Sequence, residues 1–140
     1  GFSLPIRKGY AQETYVITSG ELEALYQVTN VSKAIRRFDK RAGSKLGGLI
    51  VNLRRMKKEM DIVTDFARLV GSRIAGIIPY SQTVKECGGQ GMTVFECAPD
   101  SAEAGIYRTL GEDVFNNTHM VIPNAISFKE LYSWWLAYID

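Results

Sequence analysis

Leu46-Gly47-Gly48-Leu49-Ile50-Val51-Asn52 constrains this chain more than any other stretch. It is a short apolar run built around two glycines, and it stops on a polar amide. A continuous apolar run bounded in this way predicts a strand buried on both faces of a parallel sheet. Asn52 then falls at the carboxyl end of that strand, where open α/β sheets bind their ligands. The plain alternative is a core strand closed by an Asn turn.

A chain of 140 residues with 46% hydrophobic content is large enough for one domain with its own core. No apolar run is long enough to span a bilayer, so no membrane segment is expected. Gly1-Phe2-Ser3-Leu4-Pro5-Ile6-Arg7 lacks the basic and apolar regions of a signal peptide, and the absence of an initiator Met suggests a fragment or processed piece. A net charge of +2 does not argue for a nucleic-acid partner. The clusters Arg36, Arg37, Lys40, Arg41 and Arg54, Arg55, Lys57, Lys58 are interrupted by acids and fit solvated helix faces. Cys87 and Cys97 are too far apart for a Cys-x-x-Cys site and too few for a disulfide framework, so free thiols in a reducing cytoplasm are expected. The one histidine, His119, has no ligand-spaced partner, and no metal site is expected.

In chain order, Gly1 to Arg7 predicts an extended entry in which Pro5 prevents a helix. Tyr15–Thr18 is β-branched and aromatic, a second strand. From about Glu21 to about Asp39 the apolar spacing is helical, with a kink near Asn30 possible in the pattern. A charged loop follows Asn52, then a helix over about Lys58 to Val70 stopped by Gly71. Ile74–Ile78 is a third strand ended by Pro79. Ser81 to Cys87 predicts a short helix ended by Gly88-Gly89, Met92–Phe95 an extended stretch, and Ser101 and Ser127 the starts of two more helices. No Gly-Lys-Ser/Thr follows the glycines around Gln90, so they form no phosphate cradle. Strand–helix alternation with few strands predicts an α/β fold, part of a doubly wound, mostly parallel sheet flanked by helices.

These residues carry a family likeness. The chain resembles the carboxy-terminal half of the nitrogenase iron protein and its relatives, homodimeric ATP-driven iron–sulfur reductases of the P-loop class. The matching stretches are Gly1-Phe2, Pro5-Ile6-Arg7, Ala11-Gln12-Glu13, Ser19-Gly20-Glu21, Asn30 with Ser32-Lys33, and Leu46–Ile50 with Asn52. Pro79, Met92-Thr93-Val94 with Glu96, Tyr107-Arg108 and Val121-Ile122-Pro123-Asn124 continue the set in order.

The resemblance implies one domain over residues 1–140, a half of a P-loop iron-protein fold that contributes a nucleotide-base pocket and much of a dimer face. The phosphate-binding loop, the Mg²⁺ ligands and the cysteines for a [4Fe–4S] cluster would lie upstream, so this chain alone is expected not to hydrolyse ATP or hold the cluster. Asn52 matches the asparagine that hydrogen-bonds adenine, for which an amide offers donor and acceptor together. Pro79 matches the proline whose backbone neighbourhood lines the base pocket, and Glu21 a glutamate that reaches toward nucleotide across the dimer interface. Arg7 matches an arginine near the surface where a larger catalytic partner docks, and Gly1-Phe2 the segment that links the second switch to the cluster. On the residues alone, Asn52 caps a strand, Glu21 starts a helix, Pro79 stops a strand and Arg7 is a surface charge.

Ser81, Lys85 and Glu103 depart from the usual Asp, Gln and Gln of the nitrogenase protein. These departures point toward a nitrogenase-like relative, such as the reductase serving cyclisation of a nickel tetrapyrrole. The expected function is that of a cytoplasmic oxidoreductase component passing electrons to a nitrogenase-like partner. The rival reading is a non-redox, partition- or assembly-type P-loop ATPase; a Cys-Gly pair before Gly1 would separate the two. A third reading is a half-domain that folds only by pairing.

Overall fold

In a computed structural model that describes residues 3–139, the chain alternates helices and parallel strands. In order these are α1 (Ser3–Arg7), β1 (Glu13–Thr18), α2 (Leu22–Ala42), β2 (Lys45–Asn52), α3 (Glu59–Leu69) and β3 (Ile74–Ile78). They are followed by α4 (Gln82–Gly89), α5 (Val94–Cys97), α6 (Ala102–Phe115) and α7 (Phe128–Ile139). Gly1 and Phe2, matched to a switch segment, lie outside the described residues. The sheet has the order β1-β2-β3, with both pairings parallel. The expected α/β architecture is therefore observed, and Leu46–Asn52 lies in its central strand.

The two glycines of β2 are explained by its neighbours. Thr14 pairs with Leu46 but Tyr15 pairs with Gly48, which leaves Gly47 as an extra residue in a bulge. A Cβ on Gly47 would collide with the Tyr15 ring, and Gly48 sits at φ 151° with Ala75 against it. Beyond this bulge, Leu49, Ile50 and Val51 are buried and Asn52 is exposed.

One face of the sheet carries the core. Leu46 and Leu49 pack with Leu25, Val28 and Ile35 of α2, Ile62 and Phe66 of α3, and Leu131 of α7. Each such side chain contributes roughly 1.5–3 kcal/mol on burial. Gly76 of β3 leaves room for Leu110, so α6 comes directly against the sheet. The Val121–Asn124 stretch returns the chain to the core. Leu46 and Val121 exchange backbone hydrogen bonds at 2.8 and 2.9 Å, Asn124 N–H donates to the Val70 carbonyl, and Arg36 donates to the Pro123 carbonyl.

Several local expectations are corrected. α1 is helical despite Pro5, because the proline lies in the first turn, where its missing N–H would have had no partner. α2 runs without interruption past Asn30 to Ala42. Met92–Phe95 is not extended: Thr93 and Glu96 form a reciprocal capping box that starts α5. Arg54, Arg55, Lys57 and Lys58 lie in the β2–α3 loop and not on a helix face, with Arg55 and Lys58 at φ 64° and 58°.

Cys87 and Cys97 are not free thiols. Their sulfurs are bonded, with Cα atoms 5.6 Å apart, a normal separation for a disulfide. The spacing argument failed because α4 continues through Gly88-Gly89 and the chain then reverses at Gly91, φ 72°, swinging α5 back onto α4.

Candidate functional site: a cleft at the carboxyl end of the sheet

Asn52 and Pro79 meet because β2 and β3 end level. Asn52 pairs with Ile78, and the next amide, Leu53 N–H, donates to the Ile78 carbonyl at 2.9 Å. Pro79 then cannot extend the ladder, having no N–H to donate. The two residues line one cleft of about 170 Å³, together with Leu53, Arg54, Ile78, Tyr80, Ser81, Val84, Lys85 and Tyr107. Leu53, Ile78, Pro79 and Val84 give it an apolar part beside the basic Arg54 and Lys85. An amide able to donate and accept, in a lining without a carboxylate, suits a flat, polar-edged ligand such as a nucleobase.

The far wall is α4. Ser81 is its N-cap, and its hydroxyl accepts from Val84 N–H at 3.2 Å. Ser is a strong N-cap residue, so position 81 starts the helix without placing a charge in the cleft. Lys85 Nζ donates to the Tyr80 hydroxyl at 3.0 Å, and the Arg55 guanidinium lies 4.2 Å from the Tyr80 ring centroid. The Lys85 hydrogen bond, and then its charge, hold the Tyr80 phenol below its ordinary pKa.

The other two predicted residues lie elsewhere. Glu21 is exposed at the start of α2, where its carboxylate accepts from the Ser19 hydroxyl at 3.3 Å. Arg7 is exposed at the end of α1, which packs on α2. Glu103 is in the first turn of α6 and does not line the cleft. Sequence reasoning missed Arg54, Tyr80 and Tyr107 as cleft residues. It also missed Glu59, which is only 4% exposed and accepts from three backbone amides of two loops.

The residues present do not fit an iron–sulfur cluster. Both cysteines are bonded to each other, and among the described residues no group of three or more His, Cys, Asp or Glu side chains could hold a metal ion. Nor is any helix among them long and apolar enough to cross a membrane.

The fold is that of an ATPase of the P-loop class. It is similar to the solved structure of the Pyrococcus furiosus cell division ATPase MinD, with a TM-score of 0.59 over 74% of this chain and 42% of that one, at 19% identity. Residues 1–139 match the family described as 4Fe-4S iron sulfur cluster binding proteins, NifH/frxC family, and the chain belongs to it. It is 39% identical over 130 residues to nitrogenase iron protein 2 of Methanothermobacter thermautotrophicus, covering 93% of this chain and 48% of that protein. It is 44% identical over 133 residues to the nitrogenase iron protein of Methanospirillum hungatei, covering 94% and 48%. The chain thus spans about half the length of the curated relatives it matches.

Proposed function

We propose that this chain is the carboxy-terminal half of an ATP-dependent iron–sulfur reductase and supplies the part of its nucleotide site that holds the base. The observation that carries this reading is the Asn52–Pro79 cleft at the carboxyl end of the parallel strands, in a chain that belongs to an iron–sulfur reductase family. In the complete protein, adenine of ATP or ADP would lie against Ile78, Pro79 and Val84, with its edge on the Asn52 amide. Mg²⁺, the phosphates and the [4Fe–4S] cluster would be held by residues outside this chain. The protein would act as a homodimer that delivers electrons to a larger nitrogenase-like partner, with Glu21 facing nucleotide across the dimer and Arg7 on the docking face. Family membership favours this reading over a non-redox partition ATPase.

The test is calorimetric titration of ATP and ADP into the full-length protein and its Asn52→Ala variant. Asn52 is exposed, so the variant keeps its stability, while loss of two base hydrogen bonds weakens both nucleotides by roughly tenfold. Equal affinity in the two proteins would remove the base from this cleft.

A further inference from the structure

Two loops meet at the carboxyl edge of the sheet, and one buried carboxylate joins them. The loop after β1 contains Ser19-Gly20-Glu21, and the loop after β2 runs from Leu53 to Lys58. Glu59 Oε1 accepts from Gly20 N–H at 3.1 Å and from Arg54 N–H at 3.0 Å. Its Oε2 accepts from Arg54 N–H at 2.9 Å and Met56 N–H at 3.1 Å. The Gly20 peptide is held from its other side as well, since Trp135 Nε1 donates to the Gly20 carbonyl at 2.9 Å. No ion pair reaches Glu59 among the described residues, so backbone amides alone satisfy its carboxylate.

The loop it holds is strained. Arg55 and Lys58 are non-glycine residues in the left-handed region, a conformation that persists only where surrounding contacts over-determine it. Arg54 N–H and Met56 N–H, on either side of Arg55, are bound by Glu59 and supply such contacts. The same loop follows directly on Asn52, the last residue of β2, and supplies Leu53 and Arg54 to the cleft, while Arg55 stacks on Tyr80 at its rim.

We propose that Glu59 is a positioning residue for the base cleft. Its carboxylate fixes the Leu53–Lys58 loop in its strained form and ties it to Gly20, so that Asn52 is presented to the ligand in one orientation and Glu21 is held in register with it. A carboxylate is required because it offers acceptors on both oxygens. A glutamine would turn an NH₂ toward amides that can only donate. This inference rests on the reading of the Asn52 cleft as a base site.

The experiment is titration of ATP and GTP into the full-length protein and its Glu59→Gln and Glu59→Asp variants, with circular dichroism to confirm folding. In Glu59→Gln, ATP affinity falls roughly tenfold, while GTP affinity, which does not depend on an adenine-reading amide, changes much less. The preference for ATP therefore shrinks in Glu59→Gln and takes an intermediate value in Glu59→Asp, which keeps the carboxylate but withdraws it from Gly20. A merely structural role would lower ATP and GTP binding together, and that result overturns the proposal. So does an unchanged ATP:GTP ratio in whichever variant folds. Wild-type protein that fails to prefer ATP would instead bring down the reading of the cleft, and this inference with it.

Discussion

Between Leu22 and Val70, buried side chains recur in every element, and Phe66, Leu25, Ile35, Leu49 and Ile62 are enclosed almost completely. Between residues 82 and 117 only Cys87, Val94 and Ala104 are buried. That second region is held by discrete ties: the disulfide between α4 and α5, the Thr93–Glu96 box, the Ser101 cap on Ala104 N–H, and Phe95 edge-on to Tyr107. The cleft stands where the two regions join. Asn52 and Ile78 belong to the packed sheet, whereas Val84, Lys85 and Tyr107 belong to the tied segment, whose first helix Ser81 caps. One wall of the site is therefore set by the core and the other by a few local links, and ligand-driven movement is expected in the second wall.

The largest effect that separates the regions is in the core. Phe66→Ala removes a fully buried ring beside Trp134 and is expected to cost about 3–5 kcal/mol in urea unfolding. Phe95→Ala, at a half-exposed position of the tied segment, should cost within about 1 kcal/mol. Similar costs for the two would erase the distinction. The disulfide comes next. Replacing Cys87 and Cys97 by Ser frees a loop with a sequence separation of 10, which is expected to cost about 2–3 kcal/mol. Amide exchange should show the added opening in α4 and α5 and leave α2 and α3 protected; uniform loss of protection would mean that the two regions unfold as one.

The same division separates what the sequence made legible from what it did not. β3 has the expected bounds, β2 begins one residue earlier than expected, and α3 lies within its predicted range, because burial on the sheet imposes a regular apolar pattern. Asn30 leaves α2 unbroken because its amide bonds to the Gln27 side chain and does not compete for the backbone. In the tied segment the signals were short and chemical. Thr93-Val94-Phe95-Glu96 spells a capping box, yet β-branched and aromatic residues favoured an extended reading. The disulfide depends on a reversal at Gly91 that no periodicity reports. In the candidate cleft, the position of Asn52 was legible because a strand end is a positional fact, whereas Pro79 was singled out only by the family likeness and on the residues alone was a strand stop. Glu59 was not, because its importance lies in backbone amides of two loops, and an acid in the first turn of a helix has an ordinary explanation in the helix dipole.

The smallest effect concerns α7, whose outer face exposes Phe128, Tyr132 and Ile139. Its inner face places it with the packed region: Leu131 is buried, Trp134 lies against Phe66, and the Tyr138 hydroxyl donates to Asp65 of α3 at 2.6 Å. That hydrogen bond, with burial and the Asp65 charge adding to it, pushes the Tyr138 phenol up to about 12 from 10.0. The raised value means that the folded chain favours the neutral phenol. Its contribution to stability is fully present below about pH 10 and is lost as pH rises through about 12. Tyr138→Phe removes the titrating group and one partly exposed hydrogen bond, so at neutral pH it should cost within about 1 kcal/mol. The difference in Tm between wild type and variant should then narrow between pH 10 and 12. A constant difference across that range would show that the Tyr138–Asp65 bond does not tie α7 to α3 in solution.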